Sequence, residues 1–209
     1  FKVQYNPKLL KPELIARLKR CGLHRIKFGI ESGADHIRNQ IFKRPGKNKE
    51  ILKLAHQIAQ HDVKIRYDLI IDNPYDTEHT LKETIDLLLK LPKPLRFNLY
   101  SLQYFPDYPL TRKAIQDGHI TPQEASLEHL HQKMARNWAF VPKLFPWNKK
   151  QMLNNIIWLM VCGRAEDAAV KRAVFSDTLS AGLKLINLNL KALFWGKIHT
   201  LKRLMQKIS

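Results

Sequence analysis

Apolar and polar positions follow two patterns along the first half of the chain. Short apolar runs are typical of strands, and longer stretches with apolar residues three or four positions apart are typical of amphipathic helices. Strands are predicted at residues 1–6, Arg25–Ile30, Lys64–Ile71 and Leu95–Leu102. Helices are predicted at Pro12–Cys21, Ala34–Lys43, Lys49–His61, Glu78–Leu91 and Leu110–Gln116. Strands and helices therefore alternate as far as Gly118.

This alternation repeats about every thirty residues, which is the size of a βαβ unit. Such units form a parallel sheet, either open or closed into a barrel, so the predicted fold class is α/β. Folds of this class bind ligands at the carboxyl ends of their strands, and the residues just after each strand become the candidates for chemistry. After Gly118 the pattern is helical. We therefore predict an α/β region over 1–118 and a helical C-terminal region over 119–209.

The composition describes a foldable and strongly basic chain. Of its 209 residues 44% are hydrophobic, and 36 Lys and Arg against 18 Asp and Glu give a formal net charge of +18. Such a charge favours acidic partners, whether nucleic acid, anionic lipid or a phosphorylated substrate, without choosing among them. The two distant cysteines, Cys21 and Cys162, make neither a disulfide framework nor a four-thiolate site, which is typical of a reducing, cytoplasmic setting.

The first residue, Phe1, lies inside a predicted strand, so we expect the chain to be a fragment cut within a fold. No uncharged apolar run of about 18 residues occurs, which argues against a membrane-spanning helix.

Glu31 directly follows an apolar strand and precedes Ser32 and Gly33. A carboxylate at the mouth of a parallel sheet can accept hydrogen bonds from the hydroxyls of a ligand. The alternative is an acid at the start of a helix, where it faces the helix dipole.

Asp68 lies inside an otherwise apolar strand. Ionised acids are seldom buried without a partner, so Asp68 either points into a polar barrel interior or pairs with a basic strand neighbour such as Arg66 or Lys27. Because Glu31 and Asp68 belong to successive strands, we expect them to approach each other across the mouth. Two acids there suit a cation or a ribose diol.

Lys43, Arg44, Pro45, Gly46 and Lys47 form a basic turn. This turn could reach an anionic ligand over the mouth, although a solvated loop is the favoured interpretation in so basic a chain. The sequence contains no HExxH zinc motif, Walker loop, GxGxxG or GxSxG. No residue is therefore predicted as a metal ligand, and none is assigned as catalytic.

Three ordered motifs follow successive strands: GIESG at Gly29–Gly33, DNPYDT at Asp72–Thr77 and FPDY at Phe105–Tyr108. In this order and spacing the chain resembles the C-terminal two-thirds of the core of radical S-adenosylmethionine (radical SAM) enzymes, in the branch that usually carries a cobalamin-binding domain. The resemblance covers about residues 1–118. The chain departs from the family's usual motifs at Asp72-Asn73, Asp76 and Asp107-Tyr108.

The resemblance implies a six-stranded partial (β/α) barrel of the TIM type, in which the four predicted strands are the third to sixth. The missing first strand would carry a CxxxCxxC loop whose three thiolates hold a 4Fe–4S iron–sulfur cluster, and Cys21 and Cys162 do not replace that loop. The implied cofactors are SAM and the cluster, with cobalamin as a further candidate. This chain alone is expected to be inactive.

Cofactor-binding roles follow by resemblance for residues after the second and third predicted strands. Glu31, with Ser32 beside it, would bind the ribose hydroxyls of SAM, and Asp68 would reach the same ribose. Arg44, with Lys43 as second choice, would contact the carboxylate of SAM. Ile70 and Ile71 would offer backbone atoms to the adenine.

The implied function is that of a radical SAM enzyme that functionalises C–H bonds or transfers methyl groups to a small-molecule substrate that the sequence does not identify. A less favoured alternative is an RNA-modifying or nucleic-acid-binding protein, because basic and aromatic residues interleave between Arg136 and Lys150. A third is a peripheral membrane module that uses Leu183–Ile208 as a basic amphipathic helix. For that segment, a helix packed against a protein partner is the favoured interpretation.

Overall fold

The structure of the protein is a computed structural model. It describes residues 1–4, 12–128, 142, 148–176, 181 and 183–195. The end of the first predicted strand, most of the basic and aromatic segment before Lys150, and residues 196–208 of the predicted C-terminal helix lie outside these described residues.

Strands and helices alternate in the first half, and helices follow in the second. The strands are β1 Lys2–Gln4, β2 Arg25–Glu31, β3 Lys64–Ile71 and β4 Phe97–Ser101. The helices are α1 Pro12–Arg20, α2 Asn48–Ala59, α3 Glu78–Lys90, α4 Pro109–Gln116, α5 Lys149–Val161, α6 Asp167–Val174 and α7 at residues 183–195. The α/β prediction is confirmed.

The predicted helical stretch Ala34–Lys43 is shorter in the structure and partly of another type. Residues 35–41 are helical, and Ile37–Ile41 forms a π-helical turn in which the Phe42 N–H donates to the carbonyl of Ile37, five residues back, at 3.0 Å. The reason lies in Arg38, whose buried guanidinium donates to backbone carbonyls of the preceding loop. The local chain follows these bonds rather than regular helical geometry.

The four strands are all parallel and lie in the order β1-β2-β3-β4. Each strand therefore pairs with its neighbour in sequence. Because connections between parallel strands are right-handed, a sequential order places the connecting helices on the same face of the sheet. A doubly wound sheet would instead reverse its strand order and cover both faces.

The helix-covered face carries the main apolar core. Tyr67 at the centre of β3 packs edge-on against Phe28 of β2 at 5.0 Å between ring centroids and against Phe97 of β4 at 4.8 Å. Helices α5, α6 and α7 contribute to this same core, with residues such as Leu153, Val170 and Leu188. The predicted boundary near residue 118 stays a prediction, although the sheet and the C-terminal helices share one core. Within the described residues, no helix is long and apolar enough to cross a membrane.

Candidate functional site

A row of polar side chains lies on the face of the sheet opposite the main core. Side chains alternate between the two faces of a strand, and the parallel register aligns Lys27 with Arg66 and Gly29 with Asp68, which in turn aligns with Asn98. Lys27, Arg66 and Asn98 are half-buried, in contrast to their apolar neighbours in sequence, which are mostly fully buried. The middle of this polar face therefore differs from the main core, whereas Ile70 on the same face packs against a second, smaller apolar cluster that includes Leu102 and Tyr104.

Asp68 is buried on the polar face and is held by two neighbours. The Lys27 Nζ lies 3.0 Å from its Oδ2, and the Asn98 amide donates to its Oδ1 at 2.7 Å. Arg66 donates instead to Asn98 Oδ1 at 3.3 Å. The structure therefore supports the pairing interpretation, with Lys27 as the partner of Asp68 rather than Arg66, while a barrel interior around Asp68 stays a prediction.

Glu31 ends β2 with its carboxylate folded back over Gly29. A bulge interrupts the β2–β3 register between these two residues, and Glu31 has a φ of 64°. A Cβ at position 29 would clash with Glu31 Oε1, so only glycine leaves room for the carboxylate in this position. A glutamate in the left-handed region is uncommon, and such conformations cluster at functional sites.

The Glu31 carboxylate interacts with charged groups on two sides. Arg44 Nη2 lies 3.7 Å from Glu31 Oε1, and the Arg44 side chain is 62% exposed. Burial raises the pKa of Glu31; Arg44 opposes this rise, and nearby Asp68 adds to it. The expected approach of Glu31 and Asp68 stays a prediction; the influence of Asp68 on the pKa of Glu31 is consistent with it.

Arg38 anchors the loop that carries Arg44. It is buried, and its guanidinium donates to the carbonyls of Ile30 and Ser32 and to Asp35 Oδ1 at 2.9 Å. Its own carbonyl accepts from the Arg44 N–H at 2.9 Å. Sequence reasoning missed Arg38. The sequence shows Arg38 only as a basic residue beside Ile37 in a predicted helix, and nothing in that pattern indicates that its guanidinium is buried.

The other predicted residues divide between the polar face and the interior. Ile70 is half-buried and shares the face of Asp68, whereas Ile71 is buried and its carbonyl accepts from Leu102 N–H at 3.2 Å. Ser32 is also buried, and its hydroxyl accepts from Ala34 N–H at 3.1 Å. The structure therefore brings together Glu31 and Arg44, with Asp68 acting on the pKa of Glu31, whereas Ile70 packs against a separate apolar cluster. The side chains of Ser32 and Ile71 support the local fold instead.

Asp76, in the loop between β3 and α3, was noted in the sequence only as a departure from a motif. It is buried, and burial raises its pKa to about 6, although the Thr80 hydroxyl and Lys150 oppose the rise. A groove of about 590 Å³ lies beside it, lined also by Tyr75 and His119. Asp76 is therefore a buried acid with a raised pKa in the loop after β3, as Glu31 is at the end of β2.

Tyr104 follows β4 and has a buried hydroxyl. This hydroxyl has no hydrogen-bond partner within the described residues. Burial, together with the nearby acids Asp72 and Glu124, raises the pKa of Tyr104 to about 12. Tyr104 is therefore a neutral phenol whose O–H is available to donate a hydrogen bond.

The cysteines do not form a cluster site. Cys21 and Cys162 are both free and exposed, and no group of three or more His, Cys, Asp or Glu residues in the described part of the chain could hold a metal ion. Two separated thiols do not supply the three or four thiolates of an iron–sulfur cluster.

The family comparison matches residues 1–88 to the radical SAM superfamily. One similar solved structure is the radical SAM enzyme coproporphyrinogen III oxidase (HemN) from Escherichia coli, at 18% identity and TM-score 0.49, covering 65% of this chain and 31% of that enzyme. Another is the radical S-adenosylmethionine methyltransferase TsrM from Kitasatospora setae with cobalamin and a 4Fe–4S cluster bound, at 18% identity and TM-score 0.45, covering 56% of this chain and 23% of that protein. The chain thus spans less than a third of either neighbour's length. No curated protein sequence matches it.

Proposed function

We propose, because residues 1–88 match the family model of the radical SAM superfamily, that the protein is a radical SAM enzyme in which this chain supplies part of the SAM-binding wall. The observation that carries the proposal is the buried Glu31 carboxylate at the end of β2, beside Arg44 and near Asp68 on the polar face. Carboxylates there accept hydrogen bonds, and the hydroxyls of a ribose donate them.

We propose that the four strands form part of a six-stranded barrel. Two features support this arrangement. The strands lie in sequential order, as barrel strands do, and the face opposite the helices carries a polar row of Lys27, Arg66, Asp68 and Asn98. In this proposal the polar face lines the barrel interior, residues 1–118 form the barrel part and residues 119–209 a helical extension.

In the proposed site each residue has a separate task. Glu31 and Asp68 accept hydrogen bonds from the ribose of SAM, and Asp68 is oriented for this by Lys27 and Asn98. Arg44, which is exposed and adjacent to Glu31, attracts the carboxylate of SAM. Ile70 supplies backbone and apolar contact for the adenine, with Ser32 and Ile71 as supports.

SAM and the cluster together would supply the carbon radical that removes hydrogen from a substrate. The donor set on this chain fits SAM but not the cluster, since only two separated cysteines are present. Cluster ligands, and cobalamin if methyl transfer is the reaction, would come from other parts of the protein. The residues described here bind and orient SAM.

The test is SAM affinity in the intact protein, measured by equilibrium dialysis with labelled SAM on Glu31→Gln and Asp68→Asn. A hydrogen bond to a charged group contributes about 1.5–3 kcal/mol, so affinity should fall roughly ten- to a hundredfold. Glu13→Gln, an exposed acid in the first turn of α1, is the matched control. Thermal midpoints on the same proteins separate binding from folding. Unchanged affinity in both site variants would remove Glu31 and Asp68 from the SAM site.

A further inference from the structure

Helix α7 packs against the protein by one face, and two asparagines fix its orientation. Leu185, Leu188 and Ala192 on this face are buried in the main core. Asn189 on the same face accepts from the Asn155 side chain at 2.8 Å and donates to the Met152 carbonyl at 3.2 Å. The opposite face of α7 is therefore directed away from the protein.

That opposite face is also apolar, and it is exposed. Leu183, Ile186, Leu190 and Phe194 are 66%, 49%, 60% and 65% exposed, and their spacing of three, four and four residues places them in one stripe along the helix. Among the described residues, five of the nine large apolar side chains that are exposed belong to α7, Trp195 being the fifth. An exposed hydrophobic patch of this kind is typical of a surface that binds a membrane or another protein.

The charges around the stripe are of one sign. Lys184 and Lys191 each follow a residue of the stripe by one position, about 100° around the helix, so they lie along its border. From Thr178 to Ser209 the sequence has no acid and six basic residues. An apolar stripe with a basic border complements an anionic and apolar surface. A second copy docked face to face with its helix antiparallel would instead bring lysines of the same border together.

We propose that the exposed face of α7 binds the headgroup region of an anionic phospholipid membrane, with its helix axis parallel to the membrane plane. The stripe inserts among the acyl chains, and lysines contact the lipid phosphates. Trp195 follows Phe194 by one position and therefore lies on the same border of the stripe as the two lysines. Its ring centroid is 4.4 Å from Arg164 Cζ, and tryptophan is a residue type that prefers the membrane–water boundary. This inference is independent of the proposed SAM site.

The experiment is flotation of the full chain with phosphatidylcholine vesicles, with and without phosphatidylglycerol. We expect binding to the mixed vesicles, and weaker binding to pure phosphatidylcholine. Leu190→Asp and Phe194→Asp should each lower the partition coefficient by about tenfold or more. Each removes an apolar side chain that would insert among the acyl chains and adds a carboxylate that the anionic lipids repel. Leu127→Asp is the matched control, since Leu127 is 61% exposed but lies outside α7, and it should bind like the wild type.

Three outcomes would overturn the proposal. If the two α7 variants float as well as the wild type, the net charge alone accounts for lipid binding. Equal loss in Leu127→Asp would show that the effect is not specific to the stripe. If neither lipid is bound and light scattering shows a dimer that Leu190→Asp dissociates, a second copy covers the face. Circular dichroism of each variant verifies that α7 and the fold are retained.

Discussion

Replacing Gly29 with alanine should impair SAM binding through Glu31 without unfolding the protein. A Cβ at position 29 would clash with Glu31 Oε1, the far end of a flexible side chain. The carboxylate can swing away, whereas the backbone of β2 need not move. The added methyl group therefore removes Glu31 from its position on the polar face and leaves the strand in place.

The size of the effect follows from what the carboxylate is proposed to do. Losing a charged hydrogen bond of about 1.5–3 kcal/mol lowers SAM affinity roughly ten- to a hundredfold. The change in unfolding free energy should stay within about 1 kcal/mol, because alanine is favoured over glycine in a strand by about 0.5–1 kcal/mol, and the ion pair that Glu31 would lose is with the exposed Arg44, worth about 1 kcal/mol or less.

The assay measures SAM affinity and denaturation for Gly29→Ala in two backgrounds. In the wild type, affinity falls; in Glu31→Ala, where no carboxylate remains to be displaced, Gly29→Ala should add nothing. Equal losses in both backgrounds, or an unchanged affinity in the wild type, would refute the assignment of Glu31 to the SAM site. A large loss of stability would show instead that the strand backbone cannot hold alanine.

Other predictions concern the support of the site. Gly33→Ala should destabilise the protein by about 1–3 kcal/mol in urea denaturation, because its Cβ would clash with the backbone of Thr84 in α3, which cannot swing away; stability equal to wild type would contradict this packing. Arg38→Met should cost about 3–5 kcal/mol by leaving buried acceptors unpaired, and Arg38→Lys should not rescue it, because an ammonium cannot replace the forked guanidinium. Asp76 binds its proton more tightly folded (pKa about 6) than unfolded (about 3.8), so its contribution to the unfolding free energy falls as pH rises from 4 to 6. Asp76→Asn should remove that fall and stabilise the protein by about 3 kcal/mol at pH 7; an equal dependence of the unfolding free energy on pH in the two proteins would contradict the raised pKa.

The parts of the fold that sequence predicted well have strong local signals. Lys64–Ile71 is predicted and observed with the same bounds, since a buried apolar run ends there at Asn73-Pro74. The segment Ala34–Lys43 has helical periodicity, but Arg38 donates hydrogen bonds to the carbonyls of Ile30 and Ser32 in the preceding chain, and a π-helical turn forms there. Periodicity carries no information about such side-chain bonds to backbone.

The same division holds for the candidate site. Glu31 and Asp68 were found because an acid in or after an apolar strand stands out against its neighbours. The pairing of Asp68 with Lys27 and Asn98 depends on strand register, which only the folded sheet defines. The position of the Glu31 carboxylate over Gly29 depends on a β-bulge and on the left-handed backbone of Glu31. The sequence Gly29-Ile30-Glu31 predicts neither of them.

The sequential strand order also bears on how the chain folds during synthesis. As the ribosome releases residues from the N-terminal end, each strand after β1 finds its hydrogen-bonding partner already made. Helix α3 is different, because α5 packs on it and is linked to it by Lys149 and Glu78 at 3.0 Å, yet α5 begins about sixty residues after α3 ends. The nascent chain therefore carries an uncovered apolar surface on α3 for several seconds at ribosomal speed, and this interval is where a chaperone would act on it.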